Sequence, residues 1–173
     1  MRTSRVLWLV SATIIYFTAP SAQAKPPVRV VSKELHCSLE IPDGWKRRAD
    51  VPKPMWLYIG PMDKGFASNV SVTISPQSAP ALPEAKDFFA SVRAQFSNKA
   101  TVTETTKTTL NGQPAYSCRL VRRVAGAAAI ETRQLYSVYN SRIYVFTFTE
   151  AAAMKKKYDP IGDQMIDSFR FEK

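Results

Sequence analysis

The chain has 173 residues and a net charge of +10, with one histidine and two cysteines. This length allows one domain with its own core and excludes two domains of ordinary size. A single histidine and two distant cysteines, without Cys-x-x-Cys spacing, exclude the usual zinc-site patterns, so we expect neither a metal nor another cofactor.

Residues 1–24 have the anatomy of a secretory signal peptide. Arg2 and Arg5 form a basic start, the mostly apolar run Val6–Phe17 follows, and Ser21–Ala24 ends in an Ala-x-Ala cleavage motif. The run is shorter than the ~20 residues that span a bilayer, which argues against an uncleaved anchor. We therefore expect export to the periplasm, with secretion beyond it left open. The segment contains two of the 24 basic residues and none of the 14 acidic ones, which leaves +8 on the mature chain.

The two cysteines, Cys37 and Cys118, both belong to the exported part. An even count in an oxidising compartment predicts one disulfide between them. Since cysteine is among the most buried residue types, a pair of buried reduced thiols is the alternative.

The first half of the mature domain predicts an arm and three strands. Residues 25–34 contain Pro26-Pro27 and are expected to form an extended arm, and a single domain is expected over residues 35–173. Leu35–Ile41 and Val70–Ile74 alternate apolar and polar residues, and Met55–Ile59 is ended by Gly60-Pro61, so each of the three is a predicted strand. The basic stretch Lys46–Lys53 is predicted to be a loop.

The second half predicts a helix and then a four-strand meander. After Pro83, apolar residues recur at helical spacing as far as Asn98, which predicts a helix. Proline suits the first position of a helix, so Pro83 is its expected start. Four strands come next, two of them joined by Asn-Gly, the strongest short-range signal for a hairpin. A further turn is expected near Gly126. The four strands are Val102–Leu110, Ala115–Val124, Ile130–Tyr139 and Arg142–Thr149.

A C-terminal helix, Pro160–Phe169, completes the prediction, with Asp159 as N-cap and Pro160 at the first position. The last meander strand is apolar on both faces and needs cover on both sides. The expected fold is therefore α+β, with an antiparallel sheet of six or seven strands sandwiched between helices.

No catalytic constellation emerges from the sequence. His36 stands next to Cys37, but neighbours on a strand point to opposite faces, which makes a Cys–His dyad a poor hypothesis. Motifs for a nucleophile elbow, a P-loop or a dinucleotide fold are absent. We expect a non-enzymatic protein without catalytic residues, and an enzyme is the third alternative.

A basic cluster near two tryptophans is the candidate interaction surface. It consists of Trp45, Lys46, Arg47, Arg48 and Trp56. Trp beside Arg suits a protein interface or a ligand patch, whereas packed tryptophans and a solvated charge run are the alternative. A signal peptide argues against intracellular nucleic acid. We expect a protein partner in the cell envelope, and an anionic polymer or a lipid surface is the alternative. The sequence does not determine the oligomeric state.

Four short sequence segments, in the same order along the chain, resemble the PsbP-like and DcrB-like family. Leu39–Trp45 (Leu-Glu-Ile-Pro-Asp-Gly-Trp) resembles its opening, and Asn69–Ile74 resembles an early strand. Leu110–Tyr116 (Leu-Asn-Gly-Gln-Pro-Ala-Tyr) is similar to its hairpin, and Tyr144–Thr149 with the helix ending at Phe169 is similar to its closing unit. The resemblance implies an α/β/α sandwich and a non-enzymatic accessory or partner-binding role in the cell envelope. It supplies no catalytic motif, and function in such a case lies in the surface and not in the fold.

Overall fold

A computed structural model of the protein describes residues 25–53, 55–123 and 128–173. The predicted signal peptide, Val124 at the end of the second meander strand and the turn near Gly126 lie outside these ranges. Within them, no helix is long and apolar enough to cross a membrane.

The described residues form strands, two helices and one short 3-10 turn. In chain order the elements are β1 (Val28–Ser32), β2 (Cys37–Ile41), β3 (Lys46–Arg48), β4 (Met55–Asp63), β5 (Phe66–Ser78), α1 (Ala85–Phe96), β6 (Thr101–Leu110), β7 (Gln113–Arg122), β8 (Ile130–Tyr139), β9 (Arg142–Ala151), the 3-10 turn Ala152–Met154, α2 (Lys155–Ser168) and β10 (Arg170–Phe171).

The strands make two antiparallel sheets. The larger has seven strands in the order β3-β4-β5-β9-β8-β7-β6, and the smaller has the order β1-β2-β10. The predicted meander is confirmed as β6 to β9. Its first hairpin turns at Asn111 and Gly112, whose φ values of 48° and 77° are those of a type I′ turn. The predicted class, α+β with a seven-stranded antiparallel sheet between helices, is confirmed.

The main core lies between one face of the large sheet and a layer made of α2 and the small sheet. We call this the core face. Tyr144, Phe146 and Phe148 alternate along β9 and are at most 1% exposed. The first two of these rings pack edge-on against Phe169, just after α2. The small sheet is the part of this layer that the sequence did not predict: the supposed arm pairs with β2 as strand β1.

Helix α2 begins at Lys155, five residues before the predicted start at Pro160. Asp159 is therefore not an N-cap, and its carboxylate accepts hydrogen bonds from Arg119 of the sheet. Pro160 lies inside the helix, where its missing N–H leaves one backbone carbonyl of the preceding turn without its helical partner. The buried Tyr158 and the ion pair of Asp159 stabilise the additional turn.

Helix α1 packs on the opposite, outer face of the large sheet. Phe88 contacts Tyr116 of β7 and Tyr136 of β8, with ring centroids 5.0 and 4.9 Å apart. Arg93 donates a hydrogen bond to Thr105 of β6 at 3.1 Å. These contacts place α1 over β6, β7 and β8, which leaves the other half of the outer face without a helix among the described residues.

Candidate functional site

The five residues of the predicted interaction surface do not form one patch, because they lie on both faces of the large sheet and in the core. Trp56 is only 4% exposed, so it belongs to the core and not to a surface patch. Trp45 is half-buried and stacks on Phe148 with ring centroids 6.2 Å apart. Both indole rings are therefore packed against other side chains, which is the alternative that the sequence offered to an exposed tryptophan patch.

The three basic residues of the predicted surface form the exposed edge strand β3, where a loop was expected. Lys46 pairs with Ile59 of β4 and Arg48 with Leu57, while Arg47 lies opposite Tyr58. Because side chains alternate along a strand, Lys46 and Arg48 lie on the outer face and Arg47 lies on the core face. Arg48 is bonded to Asp50, and this hydrogen bond lowers the pKa of the carboxyl to about 2.

The half of the outer face that α1 leaves uncovered carries apolar and hydroxyl side chains. The register places these residues side by side across β4, β5 and β9, and all of them are half-buried. Lys46 and Arg48 form the β3 border of this area, and no Asp or Glu occupies an outer-face position of β3, β4, β5 or β9. We call it the open sheet face and define it by Leu57, Ile59, Ser71, Thr73, Val145 and Thr147.

The predicted disulfide is not formed: Cys37 and Cys118 are both free and buried. Cys37 belongs to the main core cluster under β9, whereas Cys118 lies on the outer face beside Tyr136. The large sheet therefore separates the two thiols. Burial raises the pKa of Cys37 to about 12, helped by the negative charge of Glu172, and raises the pKa of Cys118 to about 11. His36 lies in the turn before β2, with a φ of 47°, and not on the strand that begins at Cys37.

A cluster of charged residues occupies the core face beneath α2. Arg119 of β7 lies directly opposite Arg133 of β8, and Glu131 of β8 lies directly opposite Glu150 of β9. Like charges at facing positions of a sheet destabilise it unless opposite charges lie between them. Arg119 supplies one such contact, because its Nη1 donates to Glu131 Oε1 at 2.8 Å.

Helix α2 supplies the remaining partners of this cluster. Asp159 accepts from Arg119 Nη2 at 3.0 Å, Asp163 accepts from Arg133 Nη1 at 2.5 Å, and Lys155 donates to Glu131 at 2.7 Å. The ion pairs thus join two strands of the sheet, β7 and β8, to two turns of the helix. We call these residues the α2 cluster: Arg119, Glu131, Arg133, Glu150, Lys155, Asp159 and Asp163.

Glu150 is the exception within the α2 cluster. Its side chain is 2% exposed, and Oε2 has no hydrogen-bond partner among the described residues. Burial raises its pKa to about 7, and the charges of Asp159 and Glu131 act in the same direction. Nε and Nη2 of Arg133 are also buried without a hydrogen-bond acceptor. Buried groups of this kind are expensive in free energy and usually serve a structural or functional purpose.

The arrangement of the α2 cluster is that of an anchor for the helix. Arg119 forms ion pairs with Glu104, Glu131 and Asp159, and Arg133 with Asp163, so the acids of the cluster other than Glu150 contact bases. Among residues 25–53, 55–123 and 128–173, no three His, Cys, Asp or Glu side chains are grouped so as to hold a metal ion.

A polar groove of about 330 Å³ runs between α2 and the β6 edge of the sheet. Thr106, Thr108 and Ser117 supply hydroxyl groups to its floor, and Asp163 and Asp167 of α2 form its wall. Glu104 and the two arginines of the α2 cluster complete the lining.

The sequence did not single out this groove or the α2 cluster. Its only signal was the pattern of β8, in which the charged Glu131 and Arg133 alternate in phase with Leu135 on the buried face. Charged residues at core-phase positions of a strand indicate a buried ion pair or a site, and their partners on α2 could not be identified from strand periodicity.

Comparison with known proteins identifies the fold but not a sequence family. No family model matches the chain, and no curated protein matches it by sequence. The solution structure of cyanobacterial PsbP (CyanoP) from Synechocystis sp. PCC 6803 is similar, with a TM-score of 0.63 and 15% identity over 90% of this chain and 98% of that one.

Two crystal structures give a similar result. LpqN, involved in cell envelope biogenesis of Mycobacterium tuberculosis, has a TM-score of 0.55 and 10% identity over 87% of this chain and 88% of its own. A protein of unknown function from Pseudomonas aeruginosa has a TM-score of 0.54 and 13% identity over 81% of this chain and 93% of its own. The predicted PsbP-like fold is therefore confirmed, while identities this low carry no activity from one protein to the other.

Proposed function

We propose that the protein is an exported, non-enzymatic accessory protein of the bacterial cell envelope, and that it binds an acidic protein partner through the open sheet face. The observation that carries this proposal is the face itself. It presents Leu57, Ile59 and Val145 among hydroxyl groups, and its only charged border is basic, with Lys46 beside Arg48 in an exposed pair with Asp50. An area of mixed apolar and polar character with a charged rim is typical of a protein interface.

The structural neighbours and the N-terminal segment support the location. LpqN is a protein of cell envelope biogenesis, and cyanobacterial PsbP shares the fold over nearly its whole length. The signal peptide predicted at residues 1–24 would deliver the domain to the same compartment.

The basic clusters favour a protein partner over an anionic polymer or a lipid surface. In the run Lys155–Lys157, the first lysine binds Glu131 and the last binds Asp63 at 2.5 Å. Arg48 is likewise bonded to Asp50. Because Arg48, Lys155 and Lys157 are each paired with a carboxylate, these two basic runs offer less free positive charge to a polyanion.

The α2 cluster supports the non-enzymatic part of the proposal. Each of its carboxylates except Glu150 is bonded to an arginine or a lysine of the cluster, so none of these carboxylates is a free general base. A buried cluster whose members are paired with each other is suited to fixing an element in place.

Capture of binding partners with two charge variants tests the proposal. Thr147→Glu places a negative charge at the centre of the open sheet face, and Gln164→Glu places the same charge on the exposed side of α2. We expect Gln164→Glu to retain the envelope proteins that the wild type captures and Thr147→Glu to lose them at least tenfold, at unchanged melting temperature. Equal capture by the two variants, or loss of all binding at ~1 M salt, would overturn it and favour an anionic polymer.

A further inference from the structure

Strand β6 is an unpaired edge of ten residues, far longer than the three-residue edge β3 at the other side of the sheet. Apart from Leu110, its side chains are exposed or half-buried. Among the described residues, no strand pairs with its free edge, and the strand contains no proline. An edge of this kind offers a row of backbone N–H and C=O groups to another strand.

The hairpin turn determines which of these groups face outward. In a two-residue type I′ hairpin the closing pair, Leu110 and Gln113, is hydrogen-bonded, and the pairs alternate from there. Thr106 and Thr108 therefore bond to β7, whereas Thr105, Lys107 and Thr109 direct their N–H and C=O groups away from the sheet.

The groove beside α2 runs along the same edge. Thr106 and Thr108 line it, and its carboxylates are Glu104, Asp163 and Asp167. Its two arginines already bind Glu131, Asp159 and Asp163, and Arg119 also lies 3.4 Å from the half-exposed carboxylate of Glu104. The carboxylates around the groove outnumber these bases, and Asp167 has no ion pair among the described residues, so the excess charge of the groove is acidic and favours cationic side chains.

We propose that β6 and the adjoining groove form a second binding site, which takes an extended basic segment of another protein by strand addition. The segment pairs with the outward groups of Thr105, Lys107 and Thr109. Every second side chain then lies on the groove side, where a Lys or Arg reaches Glu104 and Asp167. Main-chain bonds supply affinity in this mode, and the alternate side chains supply selectivity. The proposal goes beyond the open sheet face, which lies on the other side of the sheet.

A second copy of β6 is a poorer occupant than a basic segment. Its own groove-side residues are Glu104, Thr106 and Thr108, so no base would meet the acids of the groove. Charge complementarity therefore decides in favour of a different chain.

Binding of two matched peptides to the purified protein tests the proposal. The first probe is acetyl-Thr-Lys-Val-Lys-Val-Lys-Val-Lys-Thr-amide, and the second has Glu in place of every Lys. We expect the lysine peptide to bind at least tenfold more tightly by fluorescence anisotropy, although the protein repels it on net charge. Hydrogen exchange should slow at the amides of Thr105, Lys107 and Thr109 when this peptide is bound.

Two variants at one position separate strand addition from general electrostatics. Lys107→Pro removes an outward N–H and no bond to β7, so it should abolish binding of the lysine peptide. Lys107→Thr keeps the N–H and should bind at least as well as the wild type. If Lys107→Pro does not fold, a lysine peptide N-methylated at alternate residues serves instead and should not bind.

Three outcomes of the peptide experiments would overturn the proposal. They are no binding of the lysine peptide, equal binding of the glutamate peptide, and full binding by Lys107→Pro or by the N-methylated peptide. Protection of the β6 amides by protein concentration alone would also overturn it, because the occupant would then be a second copy.

Discussion

Gly162 of α2 lies directly against Arg133 of β8. A Cβ atom at position 162 would come within 2.6 Å of Arg133 Nη2 and within 2.9 Å of a ring carbon of Phe148. The helix can therefore approach the sheet only because this residue has no side chain. The same close approach brings Asp163 to Arg133 and buries Glu131, Arg133 and Glu150 of the α2 cluster.

Replacement of Gly162 by Ala should destabilise the protein by about 1–3 kcal/mol, which is the usual cost of overfilling a packed core. Alanine is the better helix former by roughly 1 kcal/mol, so an exposed glycine in this helix would give the opposite sign. Urea unfolding of Gly162→Ala measures the difference. A variant as stable as the wild type or more stable would show that α2 does not pack closely against β8.

Arg119 should be the most sensitive member of the α2 cluster. Arg119→Met removes the main partner of the half-buried Asp159 and one of the two partners of the buried Glu131, and breaking a buried pair on one side costs about 3–5 kcal/mol. The matched control is Arg48→Met, which removes the exposed pair with Asp50 and should change stability little. Similar losses of stability in the two variants would contradict a buried network.

Glu150 should make stability fall as pH rises. Its pKa is about 7 in the folded protein against an ordinary value of 4.5, because burial penalises the charged form. Below pH 4.5 both states bind the proton and nothing changes. Between 4.5 and 7 the folded state retains a proton that the unfolded state has lost, so stability decreases, by roughly 3 kcal/mol in total at 1.36 kcal/mol per unit.

The variant Glu150→Gln isolates this effect. It should leave the melting temperature nearly unchanged at pH 4.5 and raise it at pH 8, since the amide never ionises. Glu84→Gln, on the exposed residue before α1, is the control and should follow the wild type at both pH values. If the stability of Glu150→Gln falls with pH as steeply as that of the wild type, a group other than Glu150 causes the pH dependence.

The cysteines should behave as two inert buried thiols. The sheet lies between them, and their raised pKa values keep the reactive thiolate scarce at neutral pH. Iodoacetamide should label neither thiol in the folded protein and both in denaturant, without reductant. A mass that shows two alkyl groups only after reduction would instead establish the disulfide.

The sequence was sufficient where one local rule determined the structure. The Asn111-Gly112 turn, the alternation of β8 and β9 and the apolar stripe of α1 each follow from short-range chemistry, and each is present. These elements are enough to place the α+β class and the antiparallel sheet.

The sequence was insufficient where distant segments determine the structure. Asp159 and Pro160 carry the ordinary signals of a helix start, but the ion pair of Asp159 with Arg119 belongs to a helix that starts earlier. Likewise, two cysteines in an exported chain predict a disulfide, and only the sheet order shows that Cys37 and Cys118 lie on different faces. Pairing between remote residues is a property of topology that composition and periodicity do not contain.

Site-specific photo-crosslinking in cells that naturally make the protein tests the central claim most directly. A photoreactive phenylalanine analogue replaces Thr147 on the open sheet face, and in a second strain it replaces Lys156 on the opposite side of the molecule. We predict one discrete protein adduct from position 147, none from position 156, and loss of the adduct when Lys46→Glu is added. The same adduct from both positions, or none from position 147, would contradict an accessory protein that binds its partner through this face.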